Sequence, residues 1–286
     1  MKKNYILYIV ISIICVISIG IAVYYQMFIA NEEEEFLPEN IINTEGNNNI
    51  SDEPEMERVK AQFNELFKNN INFQKNTVTG VKKIYDDKEI VYTAHVIDQE
   101  KDGKYDVNIN IPVVNIQGEI PSEFNNITQE VFANKAADVL NNSKEFTVYN
   151  VDYSAYINGN ILSIAIKSTL KEERSAQRVI VQTYNYDLQT GKKVSLNEVL
   201  NLYGKDATKV NQKIAKEVGK AAEQAEALGE AISQTGQTIY KRDLNSAIYI
   251  TDNVNNFFVG KDGAIYVIYA YGNSNATSEL DIIKVD

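Results

Sequence analysis

The chain has 286 residues, 44% hydrophobic and 23% charged, the balance of a globular protein of one large domain or two small ones. A single His and a single Cys, the latter inside an apolar N-terminal run, exclude a Cys/His zinc site, an intrachain disulfide and a Cys–His nucleophile pair. The net charge of −11 gathers in residues 31–57, with ten acidic side chains and no basic one; residues 58–286 carry 26 basic and 29 acidic groups, and no basic stripe that would neutralise nucleic-acid phosphates.

From Tyr5 to Ala30 the chain runs 26 residues without a charge. As a helix it would reach about 39 Å, beyond the roughly 30 Å hydrocarbon core of a bilayer. Tyr5, Tyr8, Tyr24 and Tyr25 fall near its ends, Lys2 and Lys3 precede it, and Glu32–Glu35 follow it. This pattern predicts a transmembrane helix over 5–30, a cytoplasmic end over 1–4, and an extracytoplasmic remainder at the cell membrane. A cleaved signal peptide is the competing reading, but its apolar core is shorter and Phe28 places a bulky residue where a small one is needed. Residues 31–57 are rich in Glu and Asn, too poor in apolar surface to offset ordering entropy, and read as an acidic disordered linker.

Beyond the linker, Met56, Val59, Phe63, Leu66 and Phe67 share a helical face. Strands are expected at Glu89–Ile97 and Lys104–Val114, then a helix from Pro121 with Ser122 as its N-cap and Phe124 to Leu140 as a wide apolar arc. Val148–Ile157 and Ile161–Leu170 flank Asn158-Gly159, a strong hairpin signal. Val179–Leu188 reads as a strand ending in a turn, and Ser195 can cap a short helix over Leu196–Leu200. Val210, Ile214, Val218, Ala221, Ala225, Leu228 and Ile232 give a long helix over Asp206–Thr235. Ala247–Thr251, Phe257–Val259, Ala264–Tyr271 and Glu279–Val285 complete the strands.

His95 alternates with Val91, Thr93 and Ile97 on a strand, where it is either a partly buried structural histidine or a pH-responsive contact. Asp98-x-Glu100-x-Asp102-Gly103 opens like a calcium loop, but Ile109 stands at the twelfth position, so a polar hairpin turn is expected. Tyr266, Tyr269 and Tyr271 place aromatics on both faces of one strand; they pack the sheet or contact a ligand by stacking on sugar rings. No phosphate loop, nucleophile elbow or zinc-protease helix occurs in the sequence. A hydrolase would need a carboxylate pair brought into a cleft by the fold.

Tyr105–Val114 (YDVNINIPVV), followed by a helix carrying Asn125, Gln129 and Asn134, resembles the deacetylase-associated, PdaC-like domain that precedes the catalytic part of some bacterial peptidoglycan deacetylases. Ile161–Leu170 (ILSIAIKSTL) and Tyr184–Leu200 (YNYDLQTGKKVSLNEVL) resemble the extracytoplasmic domain of RsiV-type anti-sigma-V factors, marked by a strand, an Asn-x-Asp-x-x-Thr-Gly-Lys turn and a Leu-rich helix. Here the turn is Asn185, Asp187, Thr190, Gly191 and Lys192, a structural motif in which Asp and Gly make the bend. The resemblance implies a deacetylase-associated part over about 58–145, an RsiV-like part over about 146–286, and recognition of lysozyme. The chain departs from the pattern at Arg174-Ser175-Ala176-Gln177 and at IYAYGNSNATSELDII, and four residues before the apolar run suggest no segment to hold a sigma factor.

The expectation is an α+β fold, an antiparallel sheet with helices on one face, behind an N-terminal transmembrane helix. Its expected function is a membrane-anchored, non-catalytic binding or sensing module of a bacterial cell envelope for lysozyme or peptidoglycan-type ligands, without metal or cofactor. A structural or assembly component holding another envelope protein is the second reading.

Overall fold

The computed structural model describes residues 55–67, 80–173, 175–232, 239–273 and 276–285. The expected transmembrane run and nearly all of the expected linker lie outside these residues. No helix among the described residues is long and apolar enough to cross a membrane.

Helix α1 (Glu55–Glu65) follows its apolar spacing and buries Met56, Val59 and Phe63. It begins inside the segment expected to be linker, because Met56 already belongs to a core cluster. Strands β1 (Val91–Lys101) and β2 (Tyr105–Val114) form an antiparallel hairpin with Gly103 at φ 66° in its polar turn. A helical segment then crosses back: α2 (Glu119–Thr128), a π turn (Gln129–Ala133) and α3 (Asn134–Asn142). It starts at Glu119 and its cap is Gly118, not Ser122; the Gly118 φ of 150° favours glycine, and Pro121 lies in the first turn where its missing N–H is no loss. Asn125 fastens α2 to β2, accepting from the Val114 N–H at 2.8 Å and donating to the Val114 carbonyl at 3.0 Å.

Strands β3 (Thr147–Asn158), β4 (Ile161–Glu172), β5 (Arg178–Asp187) and β6 (Lys192–Lys193) complete a six-stranded sheet in sequence order. The sheet is not purely antiparallel as expected. β2 pairs with β3 in parallel, since the intervening helices carry the chain back to the starting end. The same pairing puts strands of both expected parts, about 58–145 and 146–286, into one sheet whose side chains share an apolar cluster, and residues 52–286 form one compact unit. At the β3–β4 hairpin Asn158 pairs with Ile161, so the two loop residues are Gly159 and Asn160, with Gly159 at φ 57°. Glycine leading a two-residue loop suits type II′ rather than the Asn-Gly turn read from sequence.

Helices α4 (Leu196–Leu202) and α5 (Ala207–Ile232) precede a second, three-stranded sheet of β7 (Phe257–Val259), β8 (Ile265–Asn273) and β9 (Ala276–Val285). The strand expected at Ala247–Thr251 is instead two 3-10 turns, Ala247–Tyr249 and Thr251–Asn253. Side chains consume their backbone groups: Thr251 N–H donates to Asn211 Oδ1 at 2.9 Å and Asn253 Nδ2 to the Ala247 carbonyl at 3.1 Å.

Three apolar clusters separate the layers. Phe124 of α2, Phe132 of the π turn and Val139 of α3 cover one face of the large sheet, against Ile109, Val151, Tyr153 and Ile164. The other face meets the small sheet, with Phe63 of α1 between Tyr156, Ala165 and Val181 on one side and Phe258, Tyr266 and Ile282 on the other. Leu196, Leu200, Val210, Ile214 and Val218 of α4 and α5 then cover the far face of the small sheet. Helices therefore lie on more than one face, which corrects the single-face expectation: two sheets stacked on each other each leave an outer face to bury. Fully burying a residue such as Phe132 or Ile214 contributes about 1.5–3 kcal/mol. The predicted face of α5 is buried only as far as Ala221, and Leu228 is exposed.

Candidate functional site

The Asn185–Lys192 turn is the sequence motif with the clearest structural job. Asp187 Oδ1 accepts from the N–H groups of Gln189 (2.8 Å) and Thr190 (3.3 Å), and the Gly191 N–H closes onto the Asp187 carbonyl at 2.9 Å. Gly191 sits at φ 70°, with the Tyr186 hydroxyl 3.2 Å from where a Cβ would stand. Lys192 is exposed and pairs with Asp187 across β5–β6.

Asn185 points the other way, into the contact between the sheets. Its Nδ2 donates to the Phe257 carbonyl at 2.9 Å, and its Oδ1 accepts from Ser163 Oγ at 2.5 Å. Ser163 Oγ accepts in turn from the Val259 N–H at 2.9 Å, and Asn158 Nδ2 donates to the Gly260 carbonyl at 2.9 Å. Phe257 N–H is taken by Thr183 Oγ1 at 3.2 Å. Side chains on one face of β3–β5 thus satisfy the edge of β7 that β8 leaves unpaired, which protects an edge strand without adding another strand.

Next to this clamp lies a cleft of about 450 Å³, bounded by α2, β5, the start of α4 and the 3-10 turn at Asp252. Its apolar wall is Phe124, Ile127 and Tyr184, with the Phe124 and Tyr184 rings 4.5 Å apart. Its polar wall gathers three carboxylates, Glu123, Glu198 and Asp252, against one cation, Lys193. Glu123 Oε2 accepts from Lys193 Nζ at 3.0 Å. Glu198 completes the capping box of α4, accepting from Ser195 N–H and Oγ through Oε2 at 2.8 Å each, and the backbone bond from Ser195 holds its carboxyl below the usual range. Asp252 Oδ1 accepts from Asn197 Nδ2. The Tyr184 side chain is buried, and its hydroxyl has no hydrogen-bond partner among the described residues. Burial, with smaller contributions from Tyr186 and Glu123, pushes that phenol well above its ordinary value, so it stays protonated.

Tyr184, Glu198 and Asp252 were not marked as a site by sequence. Ser195-x-x-Glu198 is legible as a capping box, but the juxtaposition of α2, α4 and the 3-10 turn is long-range and leaves no local signal.

The other sequence candidates lie elsewhere. Tyr266 is 5% exposed in the layer between the sheets, 5.7 Å from the Phe63 ring. Tyr269 and Tyr271, 6% and 9% exposed, face the opposite way, Tyr269 edge-on to Tyr249 at 5.0 Å and Tyr271 stacked on Tyr240 at 5.2 Å. Their alternation is as read, and their rings are taken up by sheet packing. His95 is exposed, contrary to the partly buried placement expected of it: a register shift between Thr93 and His95 breaks the alternation that sequence spacing assumed. Among the described residues no group of three or more His, Cys, Asp or Glu side chains could hold a metal ion.

Tyr271 belongs to a buried polar network that sequence did not reveal. Arg242 donates to Asp281 through Nε (2.6 Å) and Nη2 (2.7 Å), Tyr271 donates to Asp281 Oδ2 (3.1 Å), and Tyr249 donates to Tyr271 (3.2 Å).

No family model matches the chain, and no curated protein does. Solved structures of DUF3298 family proteins are similar to it. One from Pseudomonas aeruginosa aligns with 16% identity and a TM-score of 0.36, over 68% of this chain and 90% of its own. Another, from Bacteroides fragilis, aligns with 13% identity and a TM-score of 0.29, over 63% of this chain and 80% of its own.

Proposed function

We propose that the chain is a membrane-anchored, RsiV-like extracytoplasmic binding module of a bacterial envelope, held by residues 5–30, tethered by the acidic segment after them, and non-catalytic. Its ligand is lysozyme or a peptidoglycan-type molecule. The observation that carries this reading is the cleft beside the Asn185–Lys192 turn, in which an aromatic wall faces a row of carboxylates on well-supported elements. Three carboxylates in one cleft also meet the first requirement of a glycoside hydrolase. Binding is favoured because a general acid needs a raised pKa, whereas the cap holds Glu198 low.

The second reading, an assembly component that holds another envelope protein, draws on β1. It is one edge strand of the large sheet and presents Val96 at 68% exposure. Calorimetry of residues 52–286 with lysozyme and with peptidoglycan fragments, at two salt concentrations, separates the two. Micromolar or tighter binding, weakened by salt in the case of lysozyme, is expected of the module. No heat with either ligand would leave only the assembly reading.

A further inference from the structure

We propose that a row of lysines on α5 is a docking surface for the anionic phosphate headgroups of the bilayer that carries the chain; this rests on reading residues 5–30 as a membrane anchor. Lys209, Lys213, Lys216 and Lys220 recur in steps of 4, 3 and 4, so helical phase sets them along one flank of α5, over about 17 Å. Lys205 extends the row, since it lines a cleft of about 280 Å³ together with Lys209 and Lys213, against Ile283 and Val285 of β9. A charge count over residues 58–286 misses this row, because the segment is nearly neutral and only the helix gathers these cations. The charge is not cancelled within the protein. Lys213 meets Glu55 and Lys220 meets Glu217, each at 3.1 Å, but among the described residues Lys205, Lys209 and Lys216 make no ion pair. Asp206, the acid between Lys205 and Lys209, accepts from the Thr208 N–H at 2.8 Å. The layout also opposes the helix dipole: α5 has no acid in its first turn and no base in its last, the reverse of what the dipole favours. Helix stability therefore does not account for the placement of these lysines.

Two observations independent of charge point to a bilayer as the occupant. The first is the tether. Lys213 contacts Glu55, the first residue of α1, and residues 31–54 between the apolar run and that point span at most about 80 Å when extended. A surface joined to its target by so short a chain meets it at high effective concentration, so a weak contact suffices. The second is Leu202 at the end of α4, 65% exposed and three residues before Lys205. Cations with an exposed apolar side chain next to them suit the headgroup boundary of a membrane, whereas a soluble polyanion has no use for Leu202.

The test uses the full-length chain reconstituted in phosphatidylcholine vesicles, with and without about one third phosphatidylglycerol. A fluorophore at the exposed position 215 of C15S/A215C reports energy transfer to an acceptor dye on the lipid. Transfer is expected to rise with phosphatidylglycerol and to fall back in high salt. K205Q/K209Q/K216Q should shift the docking equilibrium about a hundredfold toward the undocked state. L202S should weaken docking severalfold. K101Q/K104Q, at two exposed lysines by the β1–β2 turn, should leave it unchanged. Thermal melts of each variant verify that the fold is retained. Flotation with neutral vesicles in high salt separates the two claims: a chain that fails to float overturns both the anchor reading and the docking surface. If the chain floats, transfer that ignores lipid charge, that is unchanged in the triple variant, or that falls equally in K101Q/K104Q overturns the docking surface alone. Capture of added polyphosphate by wild type and not by the triple variant, without a response to phosphatidylglycerol, also overturns it and assigns the row to a soluble polyanion.

Discussion

Arg242 and Asp281 are 3% and 0% exposed at their side chains, and the bidentate contact between them is the most buried ion pair among the described residues. Burial works against the Arg242 charge, but Asp281, with help from Tyr271 and Glu279, more than offsets it and raises the guanidinium pKa above its ordinary value. Removing one partner of such a pair strands the other in the core. D281N is therefore expected to destabilise the protein by about 3–5 kcal/mol, while R242M/D281L recovers much of that loss, both measured by denaturant unfolding. A similar argument applies at Asn185. N185A leaves the Phe257 carbonyl unpaired between the sheets and should cost about 1–3 kcal/mol, whereas K192A, in the same motif but on the surface, should stay within about 0.5 kcal/mol. That contrast would show that the motif's value lies in holding the sheets together. None of these pairings could be read from sequence, since Arg242 and Asp281 are 39 positions apart and Asn185 and Phe257 are 72 apart.

At the scale of elements, the signals that sequence carries well are local. The faces of α1 and α5, the Ser195 cap and the β3–β4 hairpin all follow from spacing or from the chemistry of a few adjacent residues. Ser195 accepts from the Glu198 N–H at 3.3 Å while Glu198 returns to the Ser195 N–H, so S195A should lower stability by about 1 kcal/mol in thermal or denaturant unfolding. Glu198 has a lowered folded-state pKa, so its contribution is present above the ordinary value of 4.5 and fades as pH falls through the folded one. Wild type and S195A should accordingly converge in stability in acid. Sequence failed where tertiary partners decide: Ala247–Thr251 has strand composition, yet Asn211 and Asn253 claim its backbone. The register shift at His95 is another such case, invisible to strict alternation.

For the whole molecule, the largest feature missed was connectivity. A strand, a helix and a strand over Tyr105–Asn158 are the ingredients of a parallel crossover, and the helix was long enough to permit one. Because β2 and β3 pair across residue 145, fragments 52–145 and 146–286 should each fail to give a cooperative unfolding transition, while 52–286 gives one. The candidate cleft was illegible for the same reason, as it is assembled from α2, β5, α4 and a 3-10 turn that only the stacked sheets bring together. The layered core also sets the response to alkali. Burial pushes the phenols of Tyr149 and Tyr153 up to about 12, and those of Tyr184, Tyr269 and Tyr271 higher still. A raised phenol pKa contributes stability that is full below the unfolded value of 10.0 and is lost as pH rises through the folded one. Stability should thus fall steeply as pH rises above 10.0, with tyrosinate absorbance appearing cooperatively as the chain unfolds.

The most direct measurement is calorimetry of residues 52–286 with lysozyme and with peptidoglycan fragments at low and high salt. Micromolar or tighter binding to either is the expected result, with lysozyme affinity falling as salt screens the Glu123, Glu198 and Asp252 wall. Absence of binding to both ligands at low salt, from protein that unfolds cooperatively, would contradict an envelope ligand-binding role.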